Sequence, residues 1–356
     1  MIFNIIEPTL NDYTGHCYSL VKTIVQAAPT SDICIWAGRH SGAFWKNKGQ
    51  IKPYFFRPLR KMQSYILYHR LLKSHGKILV STAGTFDLVM INWAAHGLIP
   101  PNKVYFYIHW LGCKTSKSDI LAQMAKKQPH VEILCTTESV TAFFRGLGFR
   151  ASTVAYPCTL GDTAIQPSRT FKHLLVAGAA RMDKGIDRIA DLVEHLALTH
   201  AQWPLLVQTS AGHQAQHGAN VGFELNRITQ SGYGPLTLLS QTLAPPDYRA
   251  LFAGGISLQP YSLLDFEDRV SGVTLDALTA GCPVIVTANT WSGRAVMQHD
   301  AGVVCDDVSP SVLQQAISHI LSDYEGYAAR AALAGRAILH THSAASMMDV
   351  IFERKT

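Results

Sequence analysis

The feature that most constrains the 356-residue chain is an alternation of short apolar, β-branched runs with stretches of helical period, and it occurs twice. Runs of this length suit strands buried on both faces of a parallel sheet, because the helices that connect parallel strands cover both faces. The first series reads as a strand MIFNII, a loop EPTLNDYTGH, an amphipathic helix from Tyr18 to about Ala28 and a strand from Asp32 to Gly38. Further strands are predicted at Lys77 to Ser81, Leu88 to Asn92, Lys103 to His109 and Val131 to Thr136, and the series ends near Pro157. The second series has strands at 173–179, 204–210, 236–241, 255–260 and 282–287, with helices at Ile186 to Leu198, Asp247 to Ala253 and Ser271 to Ala280. The predicted fold class is α/β, with two Rossmann-like doubly wound domains at 1–160 and 161–335 and a short hinge around Tyr156 to Pro167. A helical stretch from Pro310 to Phe352 follows, and its tail, 336–356, is expected to return to the first domain. Ligands of such sheets bind beyond the carboxyl ends of the strands, so the predicted site is the gap between the two domains.

Composition removes other classes. With 47% hydrophobic and 16% charged residues the chain is neither disordered nor a coiled coil. No apolar run reaches the roughly 18 to 20 residues of a bilayer span; the stretch Leu88 to Pro100 is interrupted by Asn92 and His96. The N-terminus lacks a basic lead-in and carries Glu7 and Pro8, so no signal peptide and a cytoplasmic location are expected. Seven cysteines at 17, 34, 113, 135, 158, 282 and 305, with no Cys-x-x-Cys, fit reduced buried thiols rather than disulfides or zinc.

Charge is unevenly distributed. Residues 1–165 hold 18 Lys and Arg against 8 Asp and Glu, and the remainder 13 against 17. From Arg39 to Lys77 there are ten basic residues and no acidic one, interleaved with Phe44, Trp45, Tyr54, Phe55, Phe56, Tyr65 and Tyr68. Such a segment fits an anionic phospholipid surface, a phosphorylated acceptor or nucleic acid. The bland alternative is a solvated basic face with its aromatics in the core. No nucleic-acid module is recognisable and the other half of the chain is acidic, so no nucleic-acid partner is expected.

The richest chemistry lies in D265-F-E-D-R-V-S-G-V-T-L-D-A-L-T-A-G-C-P-V-I-V-T. A carboxylate-rich loop runs into Ser271, a good N-cap, then one helix, a terminating Gly281 and a buried strand. The first amides of that helix, at Gly272, Val273 and Thr274, form a phosphate-binding tip, and Gly272 lets a ligand approach the backbone. Asp276, one turn in, can accept from a ribose diol, and Asp268 from hydroxyls of a second sugar.

The spacing Asp268-x7-Asp276 followed by A-L-x-A-G-x-P-V-I resembles the acidic-x7-acidic signature of GT-B glycosyltransferases, especially the retaining family 4 type. The resemblance implies that Asp268 contacts the donor sugar, that Ser271, Gly272 and Val273 contact sugar and diphosphate, and that Asp276 binds the ribose. The family usually has Glu at both acidic positions and Gly after the first, where this chain has Asp twice and Arg269; Glu267 is an alternative to Asp268. V176-A-G-A-A-R-M-D-K-G-I-D-R resembles the family's diphosphate clamp, which puts Arg181 and Lys184 on the donor diphosphate. T14-G-H-C resembles the glycine loop over diphosphate and acceptor, giving Thr14 and Gly15. His109, at a strand end, matches the family's crevice histidine, with His96 as competitor. The resemblance therefore implies a GT-B fold and sugar transfer from a UDP- or GDP-linked donor to a glycan or polyprenyl-diphosphate-linked acceptor. It also implies retention, no metal and no cofactor beyond the nucleotide-sugar substrate. The basic segment suggests peripheral attachment to the inner membrane face. A nucleotide-sugar 2-epimerase of the same architecture, and a non-catalytic nucleotide-sugar sensor or membrane adaptor, are the alternatives. Asp265-Phe-Glu267 mimics a metal-binding acid-x-acid pair and His213 and His217 have i,i+4 spacing, but neither sits in the context a metal site needs.

Overall fold

The computed structural model describes residues 1–13, 15–110, 118–158, 168–209, 219–241 and 243–352. The chain divides into two compact units, Met1–Thr159 together with Thr341–Thr356, and Leu160–His340. The first unit holds strands β1 (Phe3–Glu7), β2 (Ile33–Gly38), β3 (Gln50–Phe55), β4 (Lys77–Val80), β5 (Val104–Ile108), β6 (Glu132–Cys135) and β7 (Arg150–Thr153). They pair in parallel in the order β3-β2-β1-β4-β5-β6-β7.

Period-2 alternation sorts the side chains of this sheet onto two faces. Ile6, Ile78, Val80, Phe106 and Ile108 pack with helices Arg60–Lys73, Thr85–Ala95, Ser118–Lys127 and Glu138–Gly146. Phe3, Ile5, Leu79, Tyr105 and Tyr107 face the other way, against Gly15–Ala27 and the returning helix Ala345–Phe352. That last helix buries Met347, Met348 and Ile351, and its Ile351 carbonyl accepts from the Tyr105 hydroxyl at 3.2 Å.

The second unit holds β8 (His173–Val176), β9 (Leu205–Gln208), β10 (Leu236–Leu239), β11 (Gly255–Gln259), β12 (Val284–Thr287) and β13 (Gly302–Cys305), all parallel in the order β10-β9-β8-β11-β12-β13. Helices Ile186–Leu198, Ala219–Gln230 and Pro310–Ser322 share one core with Leu174, Ile256 and Ile285 of this sheet. Both sheets are doubly wound, as the alternation predicts. Among the described residues no helix is long and apolar enough to cross a membrane, and Cys34, Cys135, Cys282 and Cys305 are free thiols.

One predicted strand is corrected. Leu88 to Asn92 lies inside the helix Thr85–Ala95. Asp87 starts that helix by accepting from the Gly84 amide at 3.0 Å, and the same carboxylate accepts from the buried Tyr68 hydroxyl at 2.8 Å. An apolar run of this length reads alike for a buried strand and a buried helix turn, and the cap decides between them.

Candidate functional site

In the second unit the chain winds from β8 through β9 to β10, then returns to place β11 on the other side of β8. That reversal is the topological switch point, where the loops leaving two adjacent strand ends diverge and leave a crevice. The loop after β8 carries Gly178, Arg181, Asp183 and Lys184; the loop after β11 carries Tyr261, Glu267, Asp268, Arg269 and Ser271 and runs into the helix Gly272–Thr279.

Lys184 ends a short 3-10 turn, Met182–Lys184, and its ammonium lies 5.9 Å from the centre of the Tyr261 ring. It also fills the space beside Gly178, whose φ is +86°; a Cβ there would sit 2.8 Å from Lys184 Nζ and 3.2 Å from Val273 Cγ2. The left-handed backbone there favours glycine, and a side chain would have to displace the lysine. Gly185, at φ +72°, likewise lets the turn close on the Pro260 carbonyl, 2.1 Å from where a Cβ would stand. Burial and then the charge of Arg181 push Lys184 down to about 8, against the pull of Asp183 and Asp276.

Arg181 is paired bidentately with Asp183, Nε donating at 2.7 Å and Nη2 to the second oxygen. Arg269 Nη1 donates to that second oxygen at 3.2 Å and its guanidinium stacks 4.9 Å from the Phe266 ring. Burial would raise Asp183, but hydrogen bonds from Arg181 and the charges of Arg181, Arg269 and Lys184 hold it below the usual carboxylate range. Three cations and one carboxylate thus leave the cluster with a net charge of about +2, the complement of a diphosphate.

The helix Gly272–Thr279 begins where expected. Ser271 Oγ accepts from the Thr274 amide at 3.3 Å, and Thr274 Oγ1 is tied to Gln259 Oε1 at 2.6 Å and Ser292 Oγ at 2.7 Å, which fixes the helix start to the end of β11. The helix leaves its first amides without intrahelical acceptors. Gly272 is exposed and, among the described residues, nothing beyond its own stretch of backbone lies within 4 Å of where its Cβ would be, so a ligand can reach that backbone. Asp276 is pushed up to about 6 by burial, against Arg249, the Tyr248 hydroxyl that hydrogen-bonds it, and Lys184. Asp268 is 14% exposed and lies 3.4 Å from Arg294 Nη2, the same nitrogen that donates to the Glu267 carbonyl at 2.6 Å; the Glu267 side chain is exposed.

Arg181, Lys184, Ser271, Gly272, Val273 and Asp276 are therefore gathered around the ends of β8 and β11, with Glu267 and Asp268 just before Ser271 on the same connection. His109 and Gly15 belong to the first unit. His109 follows β5, its ring edge-on to Tyr107 at 4.7 Å and to Tyr156 at 5.2 Å, and its carbonyl accepts from Thr136 Oγ1 at 2.9 Å. Gly15 opens the helix Gly15–Ala27 that follows β1; Thr14, like His213 and His217, lies outside the described residues. His96 ends the helix Thr85–Ala95 in the left-handed region, at φ 49°, with Nε2 2.9 Å from the Tyr65 hydroxyl.

Four residues of this neighbourhood escape sequence reasoning: Asp183, Arg269, Tyr248 and Tyr261. Arg269 registers in sequence only as a departure from the signature, and Tyr248 stands 28 positions before the aspartate it contacts, so no spacing rule reaches it. The first unit adds Glu7, buried at the end of β1 at that sheet's own switch point. Its carboxylate accepts from the Thr9 amide at 3.2 Å, Thr9 Oγ1 at 2.5 Å, Ser81 Oγ at 2.8 Å and Thr82 Oγ1 at 2.7 Å.

No protein-family model and no curated protein sequence matches the chain. Solved structures do. The chain superposes on HepE of Anabaena in complex with UDP-glucose with a TM-score of 0.73 at 13% identity, covering 99% of each chain. It superposes on sucrose-phosphate synthase of Thermosynechococcus elongatus with a TM-score of 0.72 at 14% identity, over 99% of this chain and 98% of that one. A trehalose-6-phosphate synthase studied for glycosyltransfer with retention gives 0.69 at 13% identity, over 99% of each chain. The fold is GT-B. The GT-B assignment rests on full-length agreement of both doubly wound units; at these identities it fixes the architecture and leaves each site residue to be argued from its own surroundings.

Proposed function

We propose that this GT-B protein is a glycosyltransferase that moves a sugar from a UDP- or GDP-linked donor to a glycan or polyprenyl-diphosphate-linked acceptor. The observation that carries this reading is the convergence of Lys184, Arg181 and the open helix tip at Gly272 on one switch point, with Asp276 one turn behind. HepE, a structural neighbour, binds UDP-glucose. In this reading Lys184 and Arg181 hold the donor diphosphate, the amides of Gly272 and Val273 take its remaining oxygens, and Asp276 accepts from the ribose hydroxyls.

Breaking the bond between sugar and phosphate leaves a dianionic nucleoside diphosphate, and fixed cations with aligned amides stabilise that developing charge without reorganising. Metal independence is part of the proposal, as is retention; a structural neighbour studied for retention supports the latter. Asp268 or Glu267 is assigned to the sugar hydroxyls, His109 to orienting the transferred sugar, and Thr14 with Gly15 to the diphosphate. The acceptor class implies work at the inner face of a membrane.

A thermal-shift screen with UDP, GDP, ADP and dTDP tests the donor site. A nucleotide at about 100 times its dissociation constant adds about 2.7 kcal/mol to stability. We expect one of these diphosphates to raise the midpoint of the wild type and not of Lys184→Ala, and the substitution to lower turnover by more than about tenfold with the fold intact. Wild-type binding and turnover in Lys184→Ala would remove the clamp.

A further inference from the structure

The basic segment of the first unit is sorted by the fold in a way its sequence does not show. Phe55 and Tyr68 are buried, and Phe44, Trp45, Tyr54 and Tyr65 pack against the cores. These aromatics are spent on folding. A different apolar set is turned outward: Phe56, Leu59, Met62 (55% exposed), Ile66 (49%), Trp93 (61%) and Leu98. Met62 and Ile66 are one turn apart on the helix Arg60–Lys73, so they share a stripe, with Phe56 and Leu59 just ahead of that helix. Trp93 and Leu98 flank the end of the neighbouring helix Thr85–Ala95. The two helices are pinned there by the Tyr65 contact to His96 and by His69 Nδ1, 3.0 Å from the Ala94 carbonyl. The apolar stripes therefore lie on adjoining elements.

The charge around them has one sign. Between Asp32 and Asp119 the only acidic residue is Asp87, and Asp87 is buried. Arg57, Lys61, Arg70 and Lys73 are exposed on the same elements, and Arg39, just after β2, is exposed with its guanidinium 5.1 Å from the Phe56 ring. Exposed apolar side chains set among cations, on a stretch whose one acidic side chain is buried, match an anionic bilayer, where apolar groups enter the acyl boundary and cations stay at the headgroups.

We infer that the first unit binds the surface of an anionic lipid bilayer through the face built by Phe56–Lys73 and the Trp93–Leu98 helix end. Met62, Ile66 and Trp93 enter the acyl boundary, and Lys61, Arg70 and Lys73 lie on the lipid phosphates. This goes beyond the peripheral attachment named above by fixing which helices and which side chains meet the lipid; its failure would remove support for a membrane-borne acceptor and leave the donor-site test unaffected.

The test is co-sedimentation of the full chain with vesicles of phosphatidylcholine, with and without phosphatidylglycerol. The wild type is expected to pellet only with the anionic vesicles at low salt, and to be released at about 1 M salt, where the Debye length is about 3 Å. Lys61→Glu with Lys73→Glu is expected to lower partitioning by roughly tenfold or more, and Met62→Asp with Ile66→Asp to do the same while retaining the wild-type thermal midpoint. The inference is overturned if the wild type stays in the supernatant at low salt or if either double variant binds like the wild type. It is also overturned if duplex DNA at equal phosphate concentration displaces the vesicles, which would make the face a general polyanion site.

Discussion

Lys184 and Asp276 carry opposite perturbations from one cause. Burial disfavours the charged form of each, lowering the lysine to about 8 and raising the aspartate to about 6. In the roles proposed for them, a diphosphate needs the ammonium and ribose hydroxyls need the carboxylate. Nucleoside diphosphate affinity should therefore be flat between about pH 6 and 8, fall above 8 as Lys184 loses its proton, and fall below 6 as Asp276 gains one. Titration calorimetry across this range checks it, and Lys184→Arg should remove the upper limb, since Arg does not deprotonate there. Stability runs the other way. The folded lysine titrates below its ordinary 10.5, so the unfolded chain binds the extra proton between about 8 and 10.5 and stability rises with pH in that window. The folded aspartate titrates above its ordinary 3.8, so the native state holds the extra proton between 3.8 and about 6 and stability falls as pH rises there. At neutral pH both are charges held partly out of water, so Lys184→Met and Asp276→Asn should each raise the thermal midpoint while weakening nucleotide binding. A lowered midpoint in both would mean that these charges are structural.

At the scale of elements, the helix Gly272–Thr279 is held at both ends. Losing the Ser271 cap should cost about 1 kcal/mol and loosen the amides assigned to the diphosphate. At the other end the helix Tyr324–Thr341 crosses it backbone to backbone: a Cβ on Gly335 would stand 2.3 Å from the Leu278 carbonyl oxygen. Gly335→Ala should therefore destabilise by about 1 to 3 kcal/mol, as overpacking does. Gly222, in the helix Ala219–Gln230 with nothing among the described residues beyond its own helix backbone within 4 Å of its Cβ position, is the control, and Gly222→Ala should stabilise by up to about 1 kcal/mol. Urea denaturation of the three variants separates these outcomes. The strands that sequence reading left out, β3, β7 and β13, all lie at sheet edges. An edge strand buries less side-chain area and tolerates proline, as Pro53 in β3 shows, so its sequence carries a weaker apolar signal than a central strand such as β5, which is buried throughout.

At the scale of the molecule, the first unit is completed by the far end of the chain. Met347, Met348 and Ile351 are buried in the same core as Phe3, Ile5 and Tyr107, and Phe352 meets Phe3 edge-on at 5.3 Å. Burying three such side chains contributes about 2 kcal/mol each, together comparable with the roughly 5 to 15 kcal/mol by which a domain is stable. A chain ending at His340 should lose hydrogen-exchange protection in β1, β2 and β5 while β8, β11 and β12, in the other unit, keep theirs. Retained protection in β1 would show that the first unit stands without this helix.

The sequence by itself determined the two doubly wound sheets, because buried parallel strands must be apolar throughout and their crossover helices must show a 3.6 period. It also determined the start of the helix at Ser271, because capping and glycine freedom are local properties readable from neighbouring residues. Tertiary structure alone decided that Asp183 binds both Arg181 and Arg269, that Tyr248 reaches Asp276, and that Met62, Ile66 and Trp93 rather than most of the segment's aromatics face outward. These depend on which residues distant in sequence become neighbours and which side of a helix is covered. A linear pattern carries no record of either until the chain has packed.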